Sequence, residues 1–303
     1  MGDTVSIVIP AHDEEQVLGP LLAGLSTGSA AAEVVVVANG CTDRTADVAR
    51  RFAGVRVVES PVASKVRALE LGDSLVSHFP RFYVDGDVVL GARDVRALAA
   101  ALDEPGVHAV GPARELVLDG VSPLVRAYYG VWQRLPGVSR ELYGRGVVAV
   151  DEEGHRRLSG WRDAMSDDLL VAMSFAPGEV RVVETARAVI RPPRHYRDLL
   201  RRRVRVMTGN LRLARDPGAP AVRGSGASPR TLAALALRTP RLAPGVAVFV
   251  ATACLAHLGA RRALARGSTV WLRDESSRRL PSSFPSPALT HAPSTAPPTP
   301  PEH

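Results

Sequence analysis

RFYVDGDVVL, residues 81–90, is an apolar run that ends in two aspartates one residue apart. Residues 82–84 are typical of a buried strand, and Gly86 permits a sharp bend that turns Asp85 and Asp87 toward one point. Two carboxylates at such a short distance repel each other unless a cation lies between them. The usual arrangement is a divalent ion that prefers oxygen ligands, held by one or two carboxylates and completed by a ligand's phosphates. The stretch therefore predicts a metal and phosphate site at the end of a strand.

The hundred residues around this stretch alternate between predicted strands and helices. The strands fall at residues 5–10, 33–38, 55–59 and 81–84, and the helices at 14–25, 42–52 and 64–78, the first with acids in its first turn. Parallel strands need right-handed crossovers, so this order predicts an α/β fold with a doubly wound, mostly parallel sheet. Ligands of such sheets bind beyond the carboxyl ends of the strands, where the winding reverses. The residues that this rule brings to one rim are Pro10, His12, Asn39 and Asp85.

The middle of the chain is less regular, and the composition changes beyond it. Helices are predicted at 123–134, 152–158 and 166–175, strands at 144–150, 180–184 and 188–191, and a basic helix at 195–213. Residues 1–215 are therefore expected to form one domain, followed at 216–241 by a linker rich in Gly, Pro and Ser and a short helix. Pro and Ser dominate residues 281–303, which is typical of a disordered tail.

An apolar segment follows the linker. Residues 242–260 carry no charge and have arginines on both sides, and the predicted helix extends to 265. A spanning helix needs about 20 apolar residues, so the length is marginal for crossing a bilayer. We expect membrane contact, either spanning or re-entrant, and the alternative is an ordinary buried helix. Because both ends are basic, the charge distribution does not indicate an orientation.

The charged residues are unevenly placed. Of the net charge of +7, much lies in residues 187–215, which hold ten arginines and a single acid, Asp198. Such a block indicates a phosphate, an anionic lipid or nucleic acid nearby, or simply a solvated face. Lys65 is the only lysine among 38 basic residues, which favours a position that needs a compact ammonium group. Cys41 and Cys254 are too few for a disulfide framework and indicate a reducing compartment.

The turn after the first strand narrows the kind of phosphate site. Dinucleotide-binding domains place G-x-G-x-x-G there, so that backbone N–H groups hold the pyrophosphate. Here the turn is PAHDEE, residues 10–15, with no glycine and three acids, and the chain has no G-x-x-x-x-G-K-[ST]. An acidic turn would repel a bare pyrophosphate. A metal held by Asp85 and Asp87, with help from Lys65, is the expected counter-charge.

Six motifs together resemble the family 2 glycosyltransferases of the A-type nucleotide-diphospho-sugar transferase fold, in their order and spacing. They are VSIVIPAHDEE (5–15), VVVVANGCTDRTADVAR (34–50), ASKVRALELG (63–72), FYVDGDVVL (82–90), GRGVVAV (144–150) and SDDLL (166–170). The resemblance covers roughly residues 4–215. It is specific for the fold and the reaction type, and much less so for the sugar.

The resemblance implies a role for each matching residue. Pro10, His12 and Glu14 would line the nucleotide pocket, Asn39 would read the base edge, and Lys65 would lie near the diphosphate. Asp85 and Asp87 would hold Mg²⁺ or Mn²⁺ against that diphosphate. Asp168 would be the general base, with Asp167 as its neighbour. Arg202 and Arg205 overlay the polar positions of the Q-x-x-R-W signature of processive members, but Gln and Trp are missing from RRRVR (201–205).

The departures from the family pattern limit these expectations. Asp13 stands where Asn is usual. Asn39 stands where Asp is frequent, and because its amide both donates and accepts, uracil and guanine both remain candidates for the base of the donor nucleotide. Asp167 and Asp168 also fit an ordinary helix cap. Without the full Q-x-x-R-W signature and a multi-helix pore, a processive polysaccharide synthase is disfavoured.

Together these observations predict a metal-dependent, inverting glycosyltransferase at the cytoplasmic face of the cell membrane. Its donor would be a nucleoside-diphosphate sugar, and its acceptor a lipid-linked or other amphiphilic hydroxyl compound, as in cell-envelope or glycolipid biosynthesis. No nucleic-acid partner is expected. The alternatives are a nucleotidyltransferase on a related fold and a catalytically silent sugar-nucleotide-binding or scaffold protein at the membrane.

Overall fold

A computed structural model of the chain describes residues 4–27, 32–142, 144–158, 174–213 and 227–266. Within these ranges a seven-stranded sheet organises the fold, in the order β3-β2-β1-β4-β6-β5-β7. The strands are β1 (Val5–Ala11), β2 (Ala32–Asn39), β3 (Val55–Ser60), β4 (Arg81–Val84), β5 (Ala109–Leu116), β6 (Val147–Val150) and β7 (Val180–Ile190).

The winding reverses at β1. This strand pairs in parallel with β2 on one side and with β4 on the other, and β3 pairs in parallel with β2. Strand β6 runs antiparallel to both β4 and β5, while β5 and β7 are parallel. The predicted doubly wound, mostly parallel sheet is therefore confirmed. The carboxyl ends of β1, β2, β4, β5 and β7 share one edge, which we call the carboxyl edge.

The helices in chain order are α1 (Leu18–Ser26), α2 (Thr45–Arg50), α3 (Lys65–Asp73), α4 (Ala92–Ala101), α5 (Pro123–Trp132), α6 (Pro136–Arg140), α7 (Glu152–Leu158), α8 (Tyr196–Leu213), α9 (Pro229–Arg238) and α10 (Ala243–Ala265). Short 3-10 turns lie at Pro177–Glu179 and Pro240–Leu242.

Several predicted boundaries were wrong, including those of the helix at 42–52, which is Thr45–Arg50, and of the strand at 144–150, which is Val147–Val150. The first helix begins at Leu18 rather than at residue 14, and no acid lies in its first turn, because residues 14–17 form a turn in front of it. The third helix begins after its cap Ser64 and ends at Asp73, not at residue 78. The strands predicted at 180–184 and 188–191 form one strand, β7, whose register against β5 shifts between Pro112 and Ala113.

The alternation of side chains along the strands produces two apolar layers. Ile7, Ile9 and Val84 belong to the layer packed under α1 and α4, whereas Val8 and Tyr83 belong to the layer under α3. Successive strand residues point to opposite faces, and a sheet covered on both faces needs apolar residues at nearly every position. This explains the continuous apolar runs of the first half of the chain.

The C-terminal helices form a third apolar cluster beside the sheet. The predicted apolar helix is present as α10, and it packs mainly against α8 and α5. Its buried positions recur every three or four residues and lie on one face: Gly245, Phe249, Thr252, Ala256 and Ala260. The ring of Phe249 stacks on Tyr128 of α5, with centroids 5.1 Å apart. The predicted helix at 166–175 with Asp167 and Asp168, most of the linker and the tail at 281–303 lie outside the described residues.

Candidate active site

The two aspartates of the 81–90 stretch lie where β4 ends on the carboxyl edge. The backbone N–H of Asp85 donates to the carbonyl of Gly146, 2.8 Å away, which ties the turn to the start of β6. Gly146 has φ 65°, and a Cβ there would lie 2.4 Å from Val88 Cγ1. At Gly86 a Cβ would lie 2.2 Å from Oε2 of Glu14. Glycine is therefore favoured at 146 by its positive φ, and at 86 a side chain would displace the buried carboxylate of Glu14.

Each aspartate faces a cation that comes from a different part of the fold. The ammonium group of Lys65, the first residue of α3, forms an ion pair with Oδ1 of Asp85. Arg191, directly after β7, is 8% exposed and interacts electrostatically with Asp87. Burial lowers the pKa of the Arg191 guanidinium, and the Asp87 carboxylate opposes that shift. Asp85 is therefore paired with Lys65, and Asp87 lies within electrostatic range of Arg191.

Sequence reasoning missed Arg191. Its place is fixed by a bridge in which the backbone N–H groups of Val89 and Val189 each donate to the other's carbonyl at 3.0 Å. This bridge holds the chain after Asp87 against the end of β7. The signals in the sequence were its place in the arginine-rich block 187–215 and its position directly after an apolar strand and before two prolines.

The donor atoms at this turn suit a hard divalent cation. Mg²⁺ and Mn²⁺ prefer oxygen ligands, and carboxylates supply them. The side chain of Asp85 is 36% exposed, so one of its oxygens can face a ligand while Lys65 contacts the other. The residues present therefore fit the expected metal, which Asp85 and Asp87 would hold between the protein and a diphosphate.

The residues predicted to line the nucleotide pocket lie at the ends of β1 and β2. His12 Nδ1 is 2.5 Å from the carbonyl oxygen of Asn39, which orients the ring. The Asn39 side chain is buried, and its amide nitrogen donates to the Ala11 carbonyl at 2.8 Å. Because this bond occupies an amide N–H, Asn39 links β1 to β2, and this role is independent of any contact with a nucleotide base.

The acids of the first turn bind the second loop. Asp13, which has φ 48°, accepts a hydrogen bond from the Thr42 backbone N–H at 2.6 Å. Glu15 accepts one from the Arg44 backbone N–H at 3.1 Å. In the opposite direction, the Asp43 carboxylate accepts a hydrogen bond from the Glu15 backbone N–H at 3.0 Å. From the sequence, these acids were expected to repel a bare pyrophosphate. In the structure, their hydrogen bonds hold the loops after β1 and β2 together.

Cys41 lies beside this turn. Its thiol donates to the Ala11 carbonyl at 3.5 Å, and burial raises its pKa, so the group stays a thiol at neutral pH. Ligand atoms of His12, Asp13 and Cys41 lie within 4.8 Å of one another.

The predicted residues on the carboxyl edge are Pro10, His12, Glu14, Asn39, Lys65, Asp85 and Asp87, which come from β1, β2, α3 and β4. Arg202 and Arg205 lie on α8, whose main contacts are with α10. Asp167 and Asp168 belong to residues that the structure does not describe.

A doubly wound sheet with an acidic pair at the end of β4 defines the class of A-type nucleotide-diphospho-sugar transferases. Residues 6–155 match the family described as glycosyl transferase family 2. Residues 6–155 therefore form a domain of this family, and the resemblance seen in the motifs is confirmed.

Known proteins agree with this assignment. An uncharacterized glycosyltransferase of Mycobacterium tuberculosis is 35% identical over 103 residues, which are 34% of this chain and 45% of the relative. A counterpart in Mycobacterium bovis matches to the same extent. The matched segment therefore spans about half the length of these relatives.

Solved structures share the fold at low sequence identity. A mannosyltransferase from Pyrobaculum calidifontis, in complex with GDP-Man and Mn²⁺, superposes with a TM-score of 0.55 at 22% identity, over 87% of this chain and 79% of that one. Mannosyl-3-phosphoglycerate synthase from Rubrobacter xylanophilus gives 0.52 at 20% identity, over 72% and 76%. These likenesses confirm the fold.

Proposed function

We propose that the chain is a metal-dependent, inverting glycosyltransferase that moves a sugar from a nucleoside-diphosphate sugar to a hydroxyl group. The proposal extends to a lipid-linked or otherwise amphiphilic acceptor at the cytoplasmic face of the cell membrane. Residues 1–215 would form the catalytic domain, 216–241 a linker with a short helix, and 242–265 the membrane-associated helix.

One observation carries the catalytic part: Asp85 and Asp87 lie at the switch point of the sheet, each beside a cation. Asp85 pairs with Lys65, and Asp87 lies near Arg191. A diphosphate carries several negative charges, so it needs cations, whereas a purely structural turn does not need two carboxylates and two basic groups. The P. calidifontis relative, which binds GDP-Man and Mn²⁺, is consistent with this site.

In the proposed reaction the acceptor oxygen forms a bond to the anomeric carbon while the bond from that carbon to the diphosphate oxygen breaks. The nucleoside diphosphate leaves with the electron pair. A bound Mg²⁺ or Mn²⁺ would supply counter-charge for the leaving phosphate. Lys65 and Arg191 add positive charge where negative charge builds up.

The acceptor proton would go to Asp168, with Asp167 beside it. An attack from the face opposite the leaving group inverts the anomeric centre, and a base on that side removes the proton as the new bond forms. This assignment rests on the SDDLL motif at 166–170 and its place in the family pattern.

The membrane part of the proposal rests on α8 and α10. The helix from Pro240 to Ala265 is long and apolar enough to cross a membrane, and a buried helix of a soluble protein would meet the same criterion. Val250, Leu255 and Leu258 of α10 are exposed, and arginines flank the helix. Each basic residue near an anionic leaflet contributes about 1 kcal/mol to binding.

The test of catalysis is a screen of UDP- and GDP-sugars with and without Mn²⁺, read out as thermal shift and as release of nucleoside diphosphate. A ligand that binds only the native state raises the melting temperature. We expect one nucleotide sugar to stabilise the protein only with the metal, and the same donor to be turned over. Binding without turnover toward any hydroxyl acceptor would favour the silent scaffold, and release of pyrophosphate from a nucleoside triphosphate would favour a nucleotidyltransferase.

The membrane part has its own test. The full-length chain should sediment with vesicles that contain anionic lipid and should stay bound in high salt, because the apolar helix adds a salt-resistant contribution. Recovery of the whole protein in the soluble fraction at low salt would make α10 a helix of the protein core and would remove the support for a lipid acceptor.

A further inference from the structure

A groove of about 620 Å³ lies between α5 and the beginning of α10, outside the site described above. Most of its walls are apolar or backbone. The lining residues are Val121, Pro123, Arg126, Ala127, Gly130, Arg241, Leu242, Pro244 and Gly245. Pockets for small ligands typically measure ~300–1,000 Å³, with apolar walls and a few polar groups that fix the ligand's orientation. The groove has both properties.

Among the lining residues that the structure describes, the charged ones are Arg126 and Arg241, and none is an acid. Arg126 donates from one guanidinium nitrogen to the Leu118 carbonyl at 2.7 Å, which holds its position. A guanidinium group has five N–H donors, so this bond uses a fraction of its capacity. Two arginines beside apolar walls complement a ligand that is anionic at one end and aliphatic at the other.

Two glycines, Gly245 and Gly130, shape the groove in different ways. At Gly245 a Cβ would lie 3.0 Å from the carbonyl oxygen of Ala127, so glycine lets α10 approach α5 closely. At Gly130 a Cβ would meet only Leu242 Cδ2, at 3.9 Å. Glycine at 130 is therefore not required by packing, and its missing side chain contributes free volume to the groove.

The groove also adjoins the catalytic edge. Ser122, next to the lining residue Val121, donates its backbone N–H to the Arg194 carbonyl at 2.8 Å. Arg194 follows Arg191 by three residues, and Arg191 lies near Asp87. The segment 191–194 thus links the chain beside the groove to the neighbourhood of Asp87.

We propose that this groove binds the acceptor itself, with the aliphatic chain against α5 and Leu242 and the anionic headgroup on Arg126 and Arg241. This deepens the proposed function and rests on it, because it assigns the lipid-borne acceptor to a named site. The exposed aliphatic residues of α10 give the groove a route to the bilayer. The occupant is therefore a membrane amphiphile whose phosphate lies next to its hydrocarbon chain.

The test uses the full-length chain in vesicles of neutral phosphatidylcholine and a photoreactive alkyl phosphate, with labelled peptides mapped by mass spectrometry. We expect labels in residues 121–130 and 241–245. Decyl phosphate should compete, whereas decanol and inorganic phosphate should compete at least tenfold less well. Arg241→Glu and Gly130→Trp, which reverse the charge and fill the volume, should each reduce labelling about tenfold, a loss of about 1.4 kcal/mol. Arg238→Glu is the matched control, since Arg238 is exposed nearby without lining the groove.

Donor binding is measured on the same samples, so the two proposals fail separately. Loss of Mn²⁺-dependent nucleotide-sugar binding, with the groove still labelled, would overturn the proposed function alone. Equal labelling of wild type, Arg241→Glu and Gly130→Trp would overturn the groove proposal, as would equal competition by inorganic phosphate. Cross-links from the groove to the chain's own segment after residue 266 in place of the lipid probe would also overturn it.

Discussion

A cluster of charged residues lies at each end of strand β4. The two clusters differ in how their acids and bases are paired. At the amino end, Arg81 donates to Oδ1 of Asp73 at 2.6 Å, and the Tyr83 hydroxyl donates to the same oxygen at 2.8 Å. His155 Nδ1 lies 3.0 Å from that hydroxyl, and its Nε2 lies 3.4 Å from Asp73 Oδ2. These partners all come from within the protein, and the Arg81 side chain is 6% exposed.

At the carboxyl end, Asp85 and Asp87 meet Lys65 and Arg191, and here the acids remain half-exposed. A buried ion pair whose partners are all protein groups stabilises the junction between secondary-structure elements. Half-exposed acids beside cations are instead able to bind a ligand from solvent. The same strand thus joins α3 to α7 at one end and presents the candidate metal site at the other. Substitutions should therefore affect stability at the amino end and activity at the carboxyl end.

The largest effect is expected for Asp87→Ala. If the proposed metal site is correct, removing one of its two carboxylates forfeits several kcal/mol of transition-state stabilisation, so turnover should fall about 10³- to 10⁴-fold. Release of nucleoside diphosphate measures this, and the melting temperature should change little. Asp103→Ala, at an exposed position, is the control and should keep wild-type turnover. Undiminished donor binding by Asp87→Ala in EDTA would exclude the metal role.

Asp168→Asn should come next, with turnover reduced ~10²–10⁴-fold and donor binding retained, because Asn keeps the shape but cannot accept the proton. Single-turnover kinetics and thermal shift with the donor separate the two effects. Asp167→Asn is the matched comparison and should lose less. If Asp167→Asn were inactive and Asp168→Asn normal, the two roles would be exchanged.

Arg81→Met tests the other end of the strand. It leaves the partly buried Asp73 carboxylate without its guanidinium partner. Breaking a fully buried pair typically costs about 3–5 kcal/mol of unfolding free energy, and the loss here should be smaller because Tyr83 still donates to the same oxygen. Denaturant unfolding measures the loss, and turnover of the remaining folded protein should be near normal. Arg50→Met is the control, because Arg50 forms only exposed ion pairs, with Asp47 and Glu59. A stable Arg81→Met protein that has lost turnover would contradict the division between the two ends.

The smallest effect concerns pH. Burial lowers the pKa of His155 below its usual 6.5, so the folded protein takes up a proton there at lower pH than the unfolded chain does. This contribution to stability is present above about pH 6.5 and is lost as the pH falls toward the lowered pKa. His155→Gln should therefore flatten the decline of melting temperature between neutral and mildly acidic pH. Parallel curves for wild type and variant would show that other groups cause the decline.

Much of the nucleotide half was predictable, because local patterns encode it. Continuous apolar runs and cap residues such as Ser64 determine where strands and helices lie, and the order of elements determines which strand ends share an edge. The resemblance to family 2 added roles for Asp85 and Lys65 on that edge. The length of α1 was not predictable, because residues 13–15 form hydrogen bonds with residues 42–44, and a pattern read along the chain does not contain those contacts.

By itself the sequence determined the parallel order of β1 to β4, the place of the Asp85–Asp87 pair and the presence of the apolar helix. These features follow from side-chain periodicity and from glycine positions, which act over a few residues. Only the tertiary structure decided that Arg191 interacts electrostatically with Asp87, that the Asn39 amide bonds to the backbone, and that α10 buries one face against α5 and α8 while leaving a groove lined by Arg126 and Arg241. Each of these depends on segments 28 to about 115 residues apart in the chain, and their contacts exist only when the sheet and the helix cluster have assembled.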